Sequence, residues 1–266
     1  MYIWLMNLQF QKYQAAGNDF IIFDNRSGEY SSLSVDQRRF LCDRHQGVGA
    51  DGIILINAHP SADFEMVYFN SDGNSSTLCG NGGRCAVAFA FQKGIIQEST
   101  TFLASDGWHK AERLDDGQVR LQMKDVAQVL KHADGIVTDT GSPHLILFTH
   151  NTAEINVNKE GAAIRYSEPF KNEGINVNFV EKISNNKFRI RTYERGVEAE
   201  TLACGTGAVA AALAVNFTGI SEGENQIFLK ALGGDLRVDF QIGNQGYHNI
   251  YLQGSATYVF SGQLTL

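Results

Sequence analysis

The chain has 266 residues, of which 43% are hydrophobic and 19% are charged, so it can bury a large core and does not have the composition of a disordered segment. It contains 3 prolines and 27 glycines, against usual shares of ~5% and ~7%, which indicates that glycine makes most of the turns. The net charge of −7 argues against a surface that binds nucleic acid or an anionic membrane.

The first ten residues are apolar but do not form a convincing signal peptide, because no basic residue precedes Lys12 and no small-residue cleavage site follows. We expect residues 1–10 to form an edge strand or a terminal extension. No run reaches the ~18 apolar residues that a transmembrane helix needs. We therefore expect no membrane partner. The four cysteines form no Cys-x-x-Cys pair and a chain of this size needs no disulfides, so we expect a cytoplasmic protein with free thiols.

Alternating apolar residues predict strands along the whole chain. They cover residues 20–23, 52–56, 64–69, 119–123, 145–148, 177–180, 188–193, 236–240, 250–253 and 258–260. A helix is predicted after Ser34, because Ser34 and Gln37 have the spacing of a capping box.

The strongest pattern is a repeated strand, polar glycine loop and apolar helix. In the first half, strand 64–69 is followed by Cys-Gly-x-Gly at Cys79 and by an apolar helix, 85–91, that stops before Gly94. In the second half, strand 188–193 is followed by Cys-Gly-x-Gly at Cys204 and by a helix, 208–215, that ends near Gly219. Each cysteine lies 15 residues before its glycine, and the two cysteines are 125 residues apart.

The repeat predicts a mixed α/β fold of two pseudo-symmetric domains, joined near residues 124–134. Both predicted helices are apolar nearly all round, so we expect each to be enclosed by a sheet rather than to lie on a surface. The chain contains no low-complexity segment or long linker.

A cysteine beside glycines at the start of a helix has a definite chemistry. The unpaired N–H groups and partial positive charge there can hold a carboxylate without a basic side chain, and they favour a thiolate. Two such helix starts facing each other would let one thiolate remove a proton from a carbon and the opposite thiol return one on the other face. The expected reaction is a stereoinversion next to a carboxylate.

Other interpretations of these residues stay open. A single cysteine is commonly a small buried hydrophobe, and Cys42 and Cys85 are interpreted in that way. Glu194 and Arg195 are either an ion pair at a strand end or ligand-binding residues. The chain could also be a non-catalytic protein that holds a dianion at two helix ends.

Two further classes are disfavoured by spacing. A thiol redox protein would be expected to carry Cys-x-x-Cys, which this chain lacks. The histidines show no His-Glu-x-x-His or other zinc spacing, so we expect no metal site.

The chain resembles the diaminopimelate epimerase family, whose members interconvert LL- and meso-diaminopimelate without a cofactor. The motifs that carry the resemblance run through most of the chain. They are Gly17-Asn18-Asp19-Phe20, Gly47-Val48-Gly49-Ala50-Asp51-Gly52, Asn70-Ser71-Asp72-Gly73, Cys79-Gly80-Asn81-Gly82-Gly83-Arg84-Cys85, Gly141-Ser142-Pro143-His144, Asn176-Val177-Asn178-Phe179, Glu194-Arg195-Gly196 and Glu200-Thr201-Leu202-Ala203-Cys204-Gly205-Thr206-Gly207.

The resemblance implies roles for individual residues. Cys79 and Cys204 would be the proton-transfer pair at the α-carbon. Backbone amides would hold the α-carboxylate, namely those of Gly80, Asn81, Gly205 and Thr206. Polar side chains would bind the amino groups and the distal carboxylate, namely those of Asn18, Asn70, Asn176, Glu194 and Arg195. His144 and Glu194 would help set the protonation of the thiols, although a turn residue after Pro143 is the alternative for His144.

The resemblance also implies the organisation and context of the protein. Residues 1–128 and 129–255 would each form an epimerase domain, a mixed curved sheet around a central helix, with strand 256–266 returning to the first. The substrate would be diaminopimelate, on the route to lysine and peptidoglycan precursors, with no pyridoxal phosphate, metal or nucleic acid. Whether the protein is a homodimer stays open. A racemase or isomerase of the same fold that acts on another amino acid stays open as an alternative function. The family often has Asn where this chain has Ser142.

Overall fold

The residues that this computed structural model describes, 6–221, 223 and 225–266, divide into two units. The first contains the chain up to Leu121 together with Ser255–Leu266, and the second contains Gln122–Gly254. The division falls a few residues before the expected boundary at 128/129. The assignment of epimerase domains at 1–128 and 129–255 stays a prediction.

The helices and strands follow in chain order. The first unit contains β1 (Asn7–Ala15), β2 (Asn18–Asp24), α1 (Val35–Cys42), β3 (Gly52–Asn57), β4 (Glu65–Asn70), α2 (Gly80–Gln92), β5 (Ser99–Ala104), β6 (Gly107–Arg113) and all but the last residue of β7 (Val119–Gln122). The second contains β8 (Val129–His132), β9 (Gly135–Asp139), β10 (Pro143–Thr149), a 3-10 turn (Thr152–Glu154), α3 (Val157–Arg165), β11 (Asn176–Lys182), β12 (Lys187–Glu194), β13 (Ala199–Thr201), α4 (Gly205–Phe217), β14 (Gln226–Ala231), β15 (Gly234–Gly243) and β16 (Gly246–Gly254). The last strand, β17 (Thr257–Thr265), belongs to the first unit.

Strand β1 is not an edge strand. It pairs antiparallel with β17 on one side and with β2 on the other. The expectation of an edge strand is therefore wrong for the described part of that segment, and residues 1–5 lie outside the described residues. Because β17 is the second neighbour of β1, the last strand of the chain pairs within the first unit.

The strands of the two units have the same pairing order. From β1 to β7, successive neighbours pair antiparallel, parallel, antiparallel, parallel, antiparallel and antiparallel. From β9 to β12 and on through β14 to β16 the sequence of pairings is identical. Parallel neighbours need a crossover, and α1 and α2 make it in one unit as α3 and α4 do in the other. The predicted duplication is confirmed in the topology.

Each unit buries one central helix. Helix α2 contacts β1–β4, β6 and β17, and α4 contacts β8–β12 and β14–β16. Residues 80–90 of α2 are all buried, and α4 is buried from Gly207 to Val215. The prediction of a mixed curved sheet around a central apolar helix is confirmed, and the burial explains why neither helix shows a polar face.

Local signals in the sequence mark the helix ends. The Ser34–Gln37 capping box is present at the start of α1. Gly94 and Gly219 adopt φ of 67° and 69° directly after the caps of α2 and α4, a conformation that glycine adopts without strain.

Two details of the predicted elements were wrong. Both central helices begin at the glycine after the cysteine, so each starts earlier than the apolar runs 85–91 and 208–215. Sequence patterns also missed several elements, among them α3, β5, β6, β8, β9 and β14.

Candidate active site

The two motif cysteines occupy the same structural position. Cys79 is the N-cap of α2 and Cys204 is the N-cap of α4. Neither makes a side-chain capping bond, and neither helix has an acidic residue in its first turn. The first N–H groups of a helix have no partner inside it, and they favour an anion. The predicted amide donors are the first two residues of these helices, Gly80 and Asn81 in α2 and Gly205 and Thr206 in α4.

In the first unit, Asn18 connects Cys79 to Asn81. Its Oδ1 lies 3.6 Å from Sγ of Cys79 and 3.4 Å from Nδ2 of Asn81. Its Nδ2 donates to Oδ2 of Asp51 at 2.5 Å. Because an ionised carboxylate only accepts hydrogen bonds, Asp51 determines that the oxygen of the Asn18 amide faces Cys79.

A charged network holds Asp51 in place. Arg44 donates to Asp51 at 2.8 Å and to both oxygens of Asp19 at 2.7 and 3.0 Å. The buried Lys12 pairs with Asp19 at 2.8 Å and also donates to the carbonyl of Gly49. Burial opposes the ionisation of Asp19, but the bonds from Arg44 and Lys12 outweigh it and lower the pKa to about 2. This network of ion pairs holds the carboxylate that orients the Asn18 amide.

Arg84 holds the other side of this cluster. Its side chain is 0% exposed, and its guanidinium donates to the carbonyl of Gly80 at 3.3 Å and to Oδ1 of Asn81 at 2.9 Å. The bond to Oδ1 leaves Nδ2 of Asn81 directed at Asn18. The two amides are therefore oriented by charged groups at both ends.

Asn70 ends β4 at the same edge of the sheet. It is exposed and is the register partner of Gly52. The hydrogen bonds that the structure gives it are backbone bonds of the following turn, to Asn74 and from Gly73. Its role toward a ligand stays a prediction.

In the second unit, Thr206 connects Cys204 to His144. The Thr206 hydroxyl lies 3.4 Å from Sγ of Cys204 and 3.0 Å from Nε2 of His144. His144 is the second residue of β10 and is fully buried, so its interpretation as a turn residue is wrong. Burial and then the charge of Arg195 lower the pKa of His144 to about 3, so the imidazole is neutral at neutral pH.

Asn178 fixes the tautomer of this imidazole. Its Nδ2 lies 3.1 Å from Nδ1 of His144, and its Oδ1 accepts from the Thr192 hydroxyl at 2.9 Å. An amide nitrogen only donates, so Nδ1 of His144 accepts and the ring proton lies on Nε2. The imidazole then donates to the Thr206 hydroxyl, whose own proton is left for Cys204.

Gly207 is required by this hydrogen-bond chain. A Cβ there would lie 2.5 Å from Oδ1 of Asn178 and 3.3 Å from Sγ of Cys204. The glycine therefore makes room for neighbouring protein atoms, whereas sequence reasoning connected the motif glycines only with the approach of a carboxylate.

Asn176, Arg195 and Ser142 form a second cluster in this unit. Asn176 accepts from the backbone N–H of Arg195 at 2.9 Å and donates to the Ser142 hydroxyl at 2.8 Å. The guanidinium of Arg195 donates to the carbonyl of Glu173 at 2.9 Å and lies 3.3 Å from the same hydroxyl. Asn176 is also the register partner of His144, so the two clusters share one edge of the sheet. Arg195 itself is exposed and accessible to a ligand.

Glu194 is the last residue of β12 and precedes this arginine. Its Oε2 accepts from the Thr201 hydroxyl at 2.8 Å. The predicted role of Glu194 toward the thiols stays a prediction.

The sequence comparisons decide the family. The profile of the family described as Diaminopimelate epimerase matches residues 10–129 and 136–259. A diaminopimelate epimerase of Flavobacterium psychrophilum is 48% identical over 95% of this chain and 98% of its own length. A diaminopimelate epimerase of Aquifex aeolicus is 38% identical over 97% and 98%. The chain belongs to the diaminopimelate epimerase family.

Solved structures with the same fold extend beyond this epimerase family. A PhzF-family phenazine biosynthesis protein of Bacillus anthracis superposes with a TM-score of 0.75 at 15% identity and covers 98% of this chain and 99% of its own. A hydroxyproline epimerase of Agrobacterium vitis, solved with trans-4-hydroxy-L-proline, gives 0.69 at 14% identity over 100% and 93%. At these identities the likeness shows the fold alone.

Several site residues of this epimerase were missed as functional candidates. Asp51, Arg84 and Asn178 each stand inside a motif of the family resemblance, which was the signal that could have identified them. Thr192 and Arg44 stand outside those motifs, and only the tertiary structure brings Thr192 to Asn178 and Arg44 to Asp51.

Two searches of the described residues add further facts. No helix in that part of the chain is long and apolar enough to cross a bilayer. No group of three or more His, Cys, Asp or Glu side chains there is placed to share a metal ion.

Proposed function

We propose that this protein interconverts LL- and meso-diaminopimelate by a two-cysteine mechanism, with Cys79 and Cys204 as the proton-transfer pair. The observation that carries the proposal is their equivalent position. Each thiol caps a buried helix whose leading amides have no side-chain cap. Membership of the diaminopimelate epimerase family supports the substrate and the reaction type.

The proposed chemistry needs no electron transfer. One cysteine, as thiolate, takes the proton from the α-carbon, and the electron pair that is left behind spreads onto the α-carboxylate. Amides at a helix start stabilise that developing charge. The other cysteine, as thiol, gives its proton to the opposite face of the carbon. The two cysteines have then exchanged protonation states, and the reverse reaction restores them.

The rest of the substrate has matching groups in the two units. We assign the α-carboxylate to the amides of Gly80, Asn81, Gly205 and Thr206. We assign the amino groups and the distal carboxylate to Asn18, Asn70, Asn176, Glu194 and Arg195. A guanidinium suits a bidentate contact with a carboxylate, and the carboxylate of Glu194 suits an ammonium group.

The test is hydrogen exchange at carbon. LL-Diaminopimelate incubated with the protein in D₂O should gain deuterium at one α-carbon as the meso isomer accumulates, which mass spectrometry and chiral chromatography measure. Neither exchange nor isomerisation under conditions where the protein is folded would overturn the proposal.

Two alternatives give different results in the same assay. A racemase of the same fold would exchange hydrogen in proline, hydroxyproline or glutamate and not in diaminopimelate. A dianion-binding protein would bind diaminopimelate in calorimetry without exchange. We expect a protein of the cytoplasm that acts in lysine and peptidoglycan precursor synthesis, and size-exclusion chromatography with light scattering would show whether it is a homodimer.

A further inference from the structure

Arg84 is a buried cation whose position the reaction chemistry above leaves unexplained. It lies in the second turn of α2, and its side chain is 0% exposed. Side chains in a helix lean toward its N-terminus, and the guanidinium of Arg84 accordingly donates to Gly80 and Asn81 in the first turn. A full positive charge therefore lies at the helix start that Cys79 caps.

Among the described residues, no carboxylate pairs with the charge of Arg84. Within the part of the chain that the structure describes, no acidic side chain forms an ion pair with it, and its Nε has no hydrogen-bond acceptor. Its hydrogen-bond acceptors are a carbonyl and an amide oxygen. A buried charge is strongly disfavoured unless an anion compensates it.

The neighbouring titratable groups do not supply that anion. Burial raises the pKa of Cys85, the next residue on α2, so its thiol stays neutral. Asp19 on β2 is ionised, but Lys12 on β1 and Arg44 already pair with it. Asp51, before β3, pairs with the same Arg44.

Cys79 is the remaining group: it is the N-cap of α2, and the Arg84 guanidinium donates to the carbonyl of Gly80, the residue directly after it. We propose that Arg84 is the counter-cation of Cys79: the buried guanidinium stabilises the thiolate form of Cys79 and the carboxylate that shares its helix start. Arg84 acts through Cys79 and the leading amides of α2, and the second part of the proposal rests on the proposed function.

This role accounts for both protonation states of Cys79. Asn18 presents an amide oxygen that accepts from the thiol, whereas Arg84 favours the thiolate. A cysteine that serves as base in one direction and as acid in the other needs support in both states. Asn18 stabilises the thiol form of Cys79, and Arg84 stabilises its thiolate form.

The experiment measures the thiol itself, so it does not depend on the proposed reaction. The full chain is alkylated with iodoacetamide from pH 5 to 10, and the rates at the Cys79 and Cys204 peptides are read separately by mass spectrometry. In Arg84→Met the pH of half-maximal alkylation at Cys79 should rise by about one to three units, while Cys204 keeps its wild-type profile. Arg84→Lys, which keeps the charge, should retain a profile close to that of the wild type.

The matched control is Arg113→Met. Arg113 stacks on Phe91 near the other end of the same helix, 4.0 Å from the ring centroid, so its loss removes the same charge from the same unit. It should leave the Cys79 profile unchanged. If Arg84→Met does not unfold cooperatively and is therefore not properly folded, Arg84→Gln is compared with Arg84→Lys. The pH of half-maximal alkylation at Cys79 should then rise only in Arg84→Gln.

An unshifted Cys79 profile in the neutral variants would overturn the proposal, as would equal shifts in Arg84→Met and Arg113→Met. Epimerase activity is measured alongside, and kcat/KM of Arg84→Met should fall by about 10²-fold. If Arg84→Met shifts the Cys79 profile but the wild-type protein shows no epimerase activity, the role of Arg84 is supported and the proposed function is refuted.

Discussion

The two helix starts are equivalent in topology and different in what supports them. Matching the strands by register and by the cysteine motifs makes Phe20 equivalent to His144 and Ile54 equivalent to Asn178. In the first unit the space beneath the helix start is apolar, since a Cβ on Gly82 would meet Ile54 and Phe20. In the second unit the same space holds a hydrogen-bonded chain of neutral polar groups.

Charged side chains near the cysteine show the reverse difference: the first unit has them where the second unit has apolar residues. Arg84 in α2 is equivalent to Val209 in α4, and Asp51 is equivalent to Ile175. The first unit therefore supports its cysteine with a buried guanidinium and a partly exposed network of charged side chains, and the second supports its cysteine with a neutral imidazole and a hydroxyl. The comparison teaches that one fold can support a thiol at a helix start by two physical means, a buried guanidinium in the first unit and a neutral imidazole with a hydroxyl in the second.

Removing either thiol should have the largest effect. Cys79→Ala and Cys204→Ala should each lower the epimerisation rate by at least about 10³-fold, because one base without an opposing acid cannot complete an inversion. The rate is measured by chiral chromatography of diaminopimelate. Cys85→Ala, which removes a buried neutral thiol from the same helix as Cys79, serves as the control and should keep most of the activity. Comparable losses in all three variants would contradict a special role for the two N-caps.

The hydroxyl of Thr206 should rank second. Thr206→Val keeps the backbone amide but removes the link between His144 and Cys204. We expect kcat to fall by about 10- to 100-fold, and the free energy of unfolding to fall by about 1–3 kcal/mol because a buried N–H loses its acceptor. Thr206→Ser restores the hydroxyl and should recover most of the rate. Equal activity of Thr206→Val and Thr206→Ser would show that the hydroxyl has no role in the mechanism.

Asp51→Asn should alter Cys79 in the direction opposite to the loss of Arg84. The new amide must turn its oxygen to Arg44, so its NH₂ faces Asn18 and forces that amide to present a donor to Cys79. A donor favours the thiolate, so the pH of half-maximal alkylation at Cys79 should fall, with about a tenfold loss of kcat/KM.

The matched control for Asp51→Asn is Asp24→Asn, which breaks the surface pair with Arg26 and should change neither quantity. If Asp51→Asn raised the pH of half-maximal alkylation at Cys79, the assigned orientation of Asn18 would be wrong.

The neutral state of His144 should also make the stability of the protein depend on pH. Its pKa is about 3 in the folded protein and about 6.5 in an unfolded chain, so the unfolded state binds the additional proton between these values. The stability that depends on neutral His144 is complete above about pH 6.5. It should fall by about 1.4 kcal/mol per pH unit as the pH drops toward 3.

Urea unfolding of wild type and His144→Gln between pH 4 and 7 measures this slope. The variant should lack that component of the acid destabilisation, whereas His150→Gln, which changes an exposed histidine of the same unit, should follow the wild type. Parallel slopes in all three proteins would show that His144 does not titrate as described.

Sequence reasoning found the parts of the site that depend on local order along the chain. The cysteines, the amides that follow them and the capping box of α1 are set by neighbouring residues, so spacing was enough to predict them. The network of Arg44, Asp51 and Asn18 could not be predicted in this way, since it joins residues 7 to 33 positions apart whose meeting depends on the pairing of β2 with β3. Helix α3 was missed although its sequence carried two local signals, a capping Asn156 and an apolar face, which packs against β11 and β12.

The sequence by itself determined the duplication, the two buried helices and the position of a cysteine at each helix start, because glycine and apolar periodicity act over a few residues. Only the tertiary structure decided what stands behind each cysteine. A charge or a hydrogen bond depends on distance in space, and the same spacing along the chain placed a buried guanidinium behind one thiol and a neutral imidazole behind the other.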